Sequence, residues 1–265
     1  MMELLDALAD VATLAPRGDG LFEVEVPDGW QHGRGAYGGL VVGLLAVAVE
    51  AVEDPTVRPI RTLSATLGHP VAAGAATLRV TVGRRGKSLS TLTAQLHQGG
   101  VVAAEGLFVC SADRTPTAAV GLLGPPTPER WATTPVIEVD APGVPRFTRH
   151  LEFRNTGAVP FSGATAPTAS GWIRPRTRRR THDTFELVCL TDAWWPAALC
   201  AERTPVHTAT VSFQWSRYAT PTGDAPLYHE GRVLAAGGGF FSEERALFTA
   251  DGALVVLNHQ TFAVS

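Results

Sequence analysis

The chain repeats itself half-way along its length. Arg58-Pro59-Ile60-Arg61-Thr62 opens one strand-like run, and Thr204-Pro205-Val206-His207-Thr208 opens another, displaced by 146 residues from position 58 to position 204. Gly99-Gly100-Val101-Val102-Ala103 is answered by Asp251-Gly252-Ala253-Leu254-Val255, displaced by 152 residues from position 99 to position 251. A displacement near half of a 265-residue chain is far longer than the roughly 20–50 residues of solenoid and propeller units. Two copies of one small domain, duplicated with small insertions, satisfy it. At 45% hydrophobic and 18% charged, the chain can bury a core of that size.

Residues 40–52, Leu-Val-Val-Gly-Leu-Leu-Ala-Val-Ala-Val-Glu-Ala-Val, are apolar around the whole helical circumference. Such a helix must be covered on nearly all sides. It is too short for the roughly 20 residues that span a bilayer, so the cover is protein, and a sheet curled around it is the natural solution. Strand patterns follow at 63–67, 76–82, 88–97 and 101–110, separated by turns containing Gly86 and the Gly99-Gly100 pair. Residues 113–147 carry Pro125, Pro126, Pro128, Pro135, Pro142 and Pro145, which forbid long regular structure and predict a linker. The domains are therefore expected at 1–112 and 148–265. In the second, strands are predicted at 150–154 and 169–174, a helix at 183–191 and another from about Trp195. Strands at 208–216, 227–236, 240–249 and 253–263 follow, giving one antiparallel sheet per copy.

A formal charge of -3 supplies no global attraction for nucleic acid or an anionic membrane. Cys110, Cys189 and Cys200 are odd in number and scattered, which favours a reducing, cytoplasmic setting over a disulfide framework or zinc site. Residues 1–16 read as a short amphipathic helix without the basic start of a secretion signal.

Gly33-Arg34-Gly35-Ala36-Tyr37-Gly38 matches the dinucleotide-binding glycine pattern, but no strand leads into it and no βαβ unit follows. Glycines ahead of a helix expose backbone N–H groups and the positive end of its dipole, which suits a phosphate or a polarised carbonyl oxygen. Close packing explains Gly35, Gly38, Gly39 and Gly43 equally well. There is no Gly-x-Ser-x-Gly elbow and no dense histidine set, so neither a serine hydrolase mechanism nor metal catalysis is expected. Five arginines crowd Arg174-Pro175-Arg176-Thr177-Arg178-Arg179-Arg180; a solvated loop is the ordinary explanation, and capture of a phosphate-rich ligand such as coenzyme A the functional one.

Two copies of a buried helix wrapped by strands, the glycine-led segment 33–50 and the turn Arg84-Arg85-Gly86-Lys87-Ser88 together resemble the type II acyl-CoA thioesterase family. The resemblance implies an α+β double hotdog: two tandem copies of a long antiparallel sheet, each around a central helix. It also implies a catalytic aspartate that begins a helix, a threonine that starts the next strand and a glutamine near the C-terminus. Asp192, Thr208 and Gln260 occupy those places. Such a trio suits hydrolysis by an activated water, because the carboxylate accepts a proton, the hydroxyl gives and accepts, and the amide orients. The expected substrate-binding residues are Tyr37, Gly38, Gly39, Trp194 and Trp195, with Gly38 and Gly39 supplying N–H groups to an oxyanion. A helix N-terminus would favour the Asp192 carboxylate, and desolvation by Trp194 and Trp195 would oppose it. Leu40 stands where many relatives carry glutamine, and Phe108 stands opposite Gln260, so the first copy is expected to be silent.

An acyl-CoA or related thioester is thus the expected partner, with no cofactor, no metal, no nucleic acid and no membrane. Exposed sheet edges favour a homo-oligomer. A non-catalytic acyl-CoA-binding protein is the alternative from another class. A hotdog hydratase or dehydratase ranks lower, since His32 and His69 are the only first-half histidines near the helix and neither lies in a recognisable motif.

Overall fold

The structure, a computed structural model, describes residues 14–114, 130–177 and 182–264. Most of the helix expected over 1–16, much of the proline-rich segment, and Arg178, Arg179 and Arg180 lie outside the described residues.

The first half contains β1 (Ala15–Gly18), β2 (Leu21–Val26), the small hairpin β3 (Gln31–His32) and β4 (Gly35–Ala36), and helix α1 (Gly38–Glu50). Four long strands follow: β5 (Ile60–Leu67), β6 (Gly74–Arg85), β7 (Leu89–Gln98) and β8 (Val101–Ser111). The second half contains β9 (Leu151–Asn155), β10 (Thr168–Pro175), α2 (Thr184–Asp192), β11 (Thr208–Arg217), β12 (Leu227–Gly237), β13 (Phe240–Phe248) and β14 (Leu254–Val264). The helix expected from Trp195 is a single 3-10 turn, Ala197–Cys200. Pro196 holds the residue before it in extended backbone, so α2 cannot run on through it.

Instead of one sheet per copy, twelve strands form one continuous antiparallel sheet in the order β1-β2-β6-β7-β8-β5-β11-β14-β13-β12-β10-β9. The order reads the same from both ends toward the β5–β11 seam. There Thr66 faces Ser212 and Thr62 faces Ser216, with Ser64 opposite Gln214 at the centre. Joining the two inner edges satisfies backbone groups that separate sheets would leave open. The seam is a local twofold axis, relating β5 to β11, β8 to β14 and β7 to β13. Both inner pairs carry a register shift at the matching place, between Ile60 and Thr62 and between Thr210 and Ser212. This is a double hotdog.

Both helices lie against the sheet and against each other. Ten of the thirteen α1 residues are buried, as an all-round apolar helix requires. The helices run antiparallel: Gly38 and Gly39 at the start of α1 lie beside Asp192 at the end of α2, and Glu50 at the end of α1 accepts a hydrogen bond from Thr184 Oγ1 at 2.5 Å. Gly43 permits the close approach at the crossing. A Cβ there would lie 2.7 Å from the Phe185 ring.

Candidate active site

Asp192 ends α2; it does not begin a helix. The N-cap of α2 is Asp183, whose carboxylate accepts from Glu186 N–H at 2.8 Å. The helix dipole that acts favourably on Asp192 is therefore that of the other copy. Gly39 N–H, in the first turn of α1, donates to Asp192 Oδ2 at 2.6 Å, and Gln260 Nε2 donates to Oδ1 at 2.9 Å. First-turn N–H groups lack intrahelical acceptors, so α1 loses nothing by making this bond. The Asp192 side chain is 8% exposed, enough for solvent contact in an otherwise dry setting. Burial pushes its carboxyl above the usual carboxylate range, opposed by the Arg245 charge and by the Gln260 and Gly39 hydrogen bonds.

Gln260 has no freedom to flip. Its Nε2 also donates to Asn258 Oδ1 at 3.0 Å, and its Oε1 accepts from Thr210 Oγ1 at 3.3 Å. Asn258 is fixed in turn by donating to Gln214 O at 2.7 Å. The hydroxyl that meets Gln260 thus belongs to Thr210. Thr208 lies opposite Val264 at the start of β11 and hydrogen-bonds neither Asp192 nor Gln260. The first residue of the strand is thus not the one that reaches the site, and the repeat register agrees. The seam relates Thr62 to Ser212, a displacement of 150 residues, whereas the Thr62–Thr208 echo in the sequence assumes 146.

Tyr37 stacks on Phe147 with ring centroids 4.1 Å apart and is itself buried. Trp194 is buried between Phe153 and Trp195, with centroids 5.5 and 4.7 Å away. These aromatics flank the pole and withdraw it from water. Cys189 donates to Gly39 O at 3.5 Å, but burial raises its thiol pKa far above neutrality, so it presents no thiolate. Arg174, from the arginine run, is engaged by Glu152 at 2.6 Å and lies over the Trp131 ring.

At the opposite pole Glu50 meets Thr184, but the strand position matching Gln260 is Phe108, fully buried. Among the described residues the carboxylate–amide pair occurs at one pole only. Four further polar residues stand at the Asp192 pole that the sequence did not point to: Thr210, Asn258, Glu243 and Arg245. In Phe241, Glu243, Arg245 and Leu247, and again in Val256, Asn258, Gln260 and Phe262, every second residue is buried. Alternation along β13 and β14 therefore places charged and amide groups on the core face.

A profile of the acyl-CoA thioesterase N-terminal domain matches residues 26–111, and one of the corresponding C-terminal domain matches residues 116–264. The chain belongs to the acyl-CoA thioesterase family. Solved structures agree with this family's fold at low identity. A hot dog protein of unknown function from Alicyclobacillus acidocaldarius superposes with a TM-score of 0.87 at 20% identity, covering 97% of each chain. Acyl-CoA thioesterase II TesB2 from Mycobacterium marinum gives 0.78 at 18% identity over 98% of each, and a tesB protein from Mycobacterium avium subs paratuberculosis 0.77 at 14% over 96% of each. No curated protein sequence matches. No helix among the described residues of this thioesterase-family chain is long and apolar enough to cross a membrane.

The two threonines give a direct test of the geometry. Thr210→Val removes the donor to Gln260 Oε1, and kcat/KM for thioester cleavage is expected to fall about tenfold, the worth of one ordinary hydrogen bond. Thr208→Val is expected to change it less than twofold, roughly the scatter for a group outside the site. The reverse ranking would restore Thr208 to the trio.

Proposed function

We propose that this chain hydrolyses acyl-CoA thioesters, with Asp192 as the base that activates water. The observation that carries the reading is the Asp192 carboxylate, held between a helix N-terminal N–H and a locked glutamine amide with 8% of its side chain exposed. Asp192 removes a proton from water as the oxygen bonds to the thioester carbonyl carbon. Collapse of the tetrahedral species breaks the C–S bond, and the proton passes from Asp192 to the departing thiolate, leaving free acid and CoA. Gly39 N–H is committed to Asp192, so the Gly38 N–H beside it is the donor for the developing oxyanion, worth roughly 3 kcal/mol if fully aligned.

The base must be ionised, and burial sets its pKa above the ordinary carboxylate value. kcat/KM is therefore expected to fall as pH drops through that raised value, with the acid limb centred above the ~3.9 of an unperturbed aspartate. A limb at or below ~3.9 would remove Asp192 from this role. Thiol release measured over acyl-CoAs from short to long, aromatic ones included, tests the reaction itself. Tight binding of an acyl-CoA without thiol release would make the chain a binding protein.

A further inference from the structure

The sheet contains its own control for the active pole. Across β13 and β14, Glu243 pairs with Gln260 and Arg245 with Asn258. At the twofold-related positions of β7 and β8, Leu92 pairs with Phe108 and Ala94 with Gly106. Both sets are buried; the four polar side chains are each 1% exposed or less. One half thus fills these positions without a polar atom. Buried ion pairs are expensive to desolvate, and apolar replacements are often neutral or stabilising. Packing does not account for Glu243 and Arg245.

Their contacts point at Asp192. Arg245 Nη1 donates to the backbone oxygens of Asp192 and Trp194, both at 3.3 Å, and lies 3.7 Å from Asp192 Oδ1. Its Nε and Nη2 donate to Glu243 Oε2 at 3.3 and 3.1 Å, while Glu243 Oε1 accepts from Ala198 N–H at 2.9 Å in the turn after Pro196. One guanidinium therefore staples the end of α2 to β13 and sets a positive charge against the carboxylate. We propose that Arg245, held in place by Glu243, is a positioning residue of this site, fixing the chain at Asp192 and Trp194 and supporting the negative charge of Asp192 in a dry pole.

The proposal rests on the hydrolase reading only for its activity readout. The ionisable groups that act on Asp192 or respond to it are Arg245 from β13, His32 from β3, Tyr37 before α1 and Cys189 of its own helix, with Glu243 behind Arg245. Arg245 opposes the effect of burial on the carboxyl, so Arg245→Met should raise the Asp192 titration midpoint. Glu243→Gln frees Arg245 of its counter-ion and should lower it. These opposite shifts are read twice: in the acid limb of kcat/KM for thiol release, and in the carboxyl ¹³C resonance of aspartate-labelled protein. We expect Arg245→Met to lower kcat at neutral pH at least tenfold with KM little changed. The double variant Glu243→Leu with Arg245→Met should melt at or above the wild-type temperature while turnover falls. Midpoints that stay put in both single variants, or that shift in the same direction, would overturn the proposal. Should the double variant not fold, the Glu243→Gln titration decides it. Should wild type cleave no acyl-CoA, the hydrolase reading fails and the ¹³C titration still tests Arg245.

Discussion

Replacing Asp192 by Asn is expected to lower kcat/KM by about 10²–10⁴-fold, the usual contribution of a positioned general base, without loss of the fold. The amide can keep one of the two hydrogen bonds made by the carboxylate, accepting from Gly39 N–H through its oxygen. Its NH₂ then meets the Gln260 NH₂, donor against donor, because Gln260 is held by Asn258 and Thr210 in the orientation that serves a carboxylate. The substitution thus removes the base and frustrates its partner. Thiol release and thermal melting measured together check the claim. Activity within tenfold of wild type would place the chemistry elsewhere.

The second large effect is at Gly39. A Cβ at this position would lie 2.7 Å from Tyr37 Cε2, 2.9 Å from Asp192 Cβ and 3.2 Å from Cys189 Cα. The last two belong to α2, so Gly39→Ala must push the helices apart where Gly39 N–H reaches the carboxylate. Overpacking of this kind costs about 1–3 kcal/mol, partly offset by the ~1 kcal/mol that alanine gains over glycine in a helix. Activity should suffer more than stability, about 10²-fold, since displacing a reacting group by an ångström costs that much. Gly43→Ala is the comparison. Its Cβ would press on the Phe185 ring at 2.7 Å, away from the carboxylate, and should cost similar stability with activity largely retained. Equal activity losses in the two variants would show that Gly39 matters only for packing.

The long elements were readable because their signals are local. Residues 40–52 are apolar on every side and α1 (Gly38–Glu50) is buried on nearly every side; the four strand patterns after it fall within β5 to β8 or one residue from an end. Short pieces such as β3 and β4, two residues each, carry no periodicity to read. Asp192 and Gln260 were named from a family pattern and do meet. The resemblance places the neighbouring hydroxyl at Thr208, the first residue of the strand, whereas the hydroxyl that meets Gln260 is two residues on at Thr210, beside a register shift between Thr210 and Ser212 that is invisible in a string of β-prone residues. Glu243 and Arg245 stand in Ser242-Glu243-Glu244-Arg245, a polar run without hydropathy alternation, so their burial on the core face becomes visible only in the folded sheet.

The order of amino acids settled the two-copy plan, the buried helix and the strand-rich remainder, because each follows from composition and spacing within a few tens of residues. It left open that two sheets would merge at β5 and β11, and that the carboxylate of one helix would take its N–H donor from the other. Those features depend on contacts between residues some 150 positions apart, and only the folded packing of the two copies brings them within hydrogen-bonding distance.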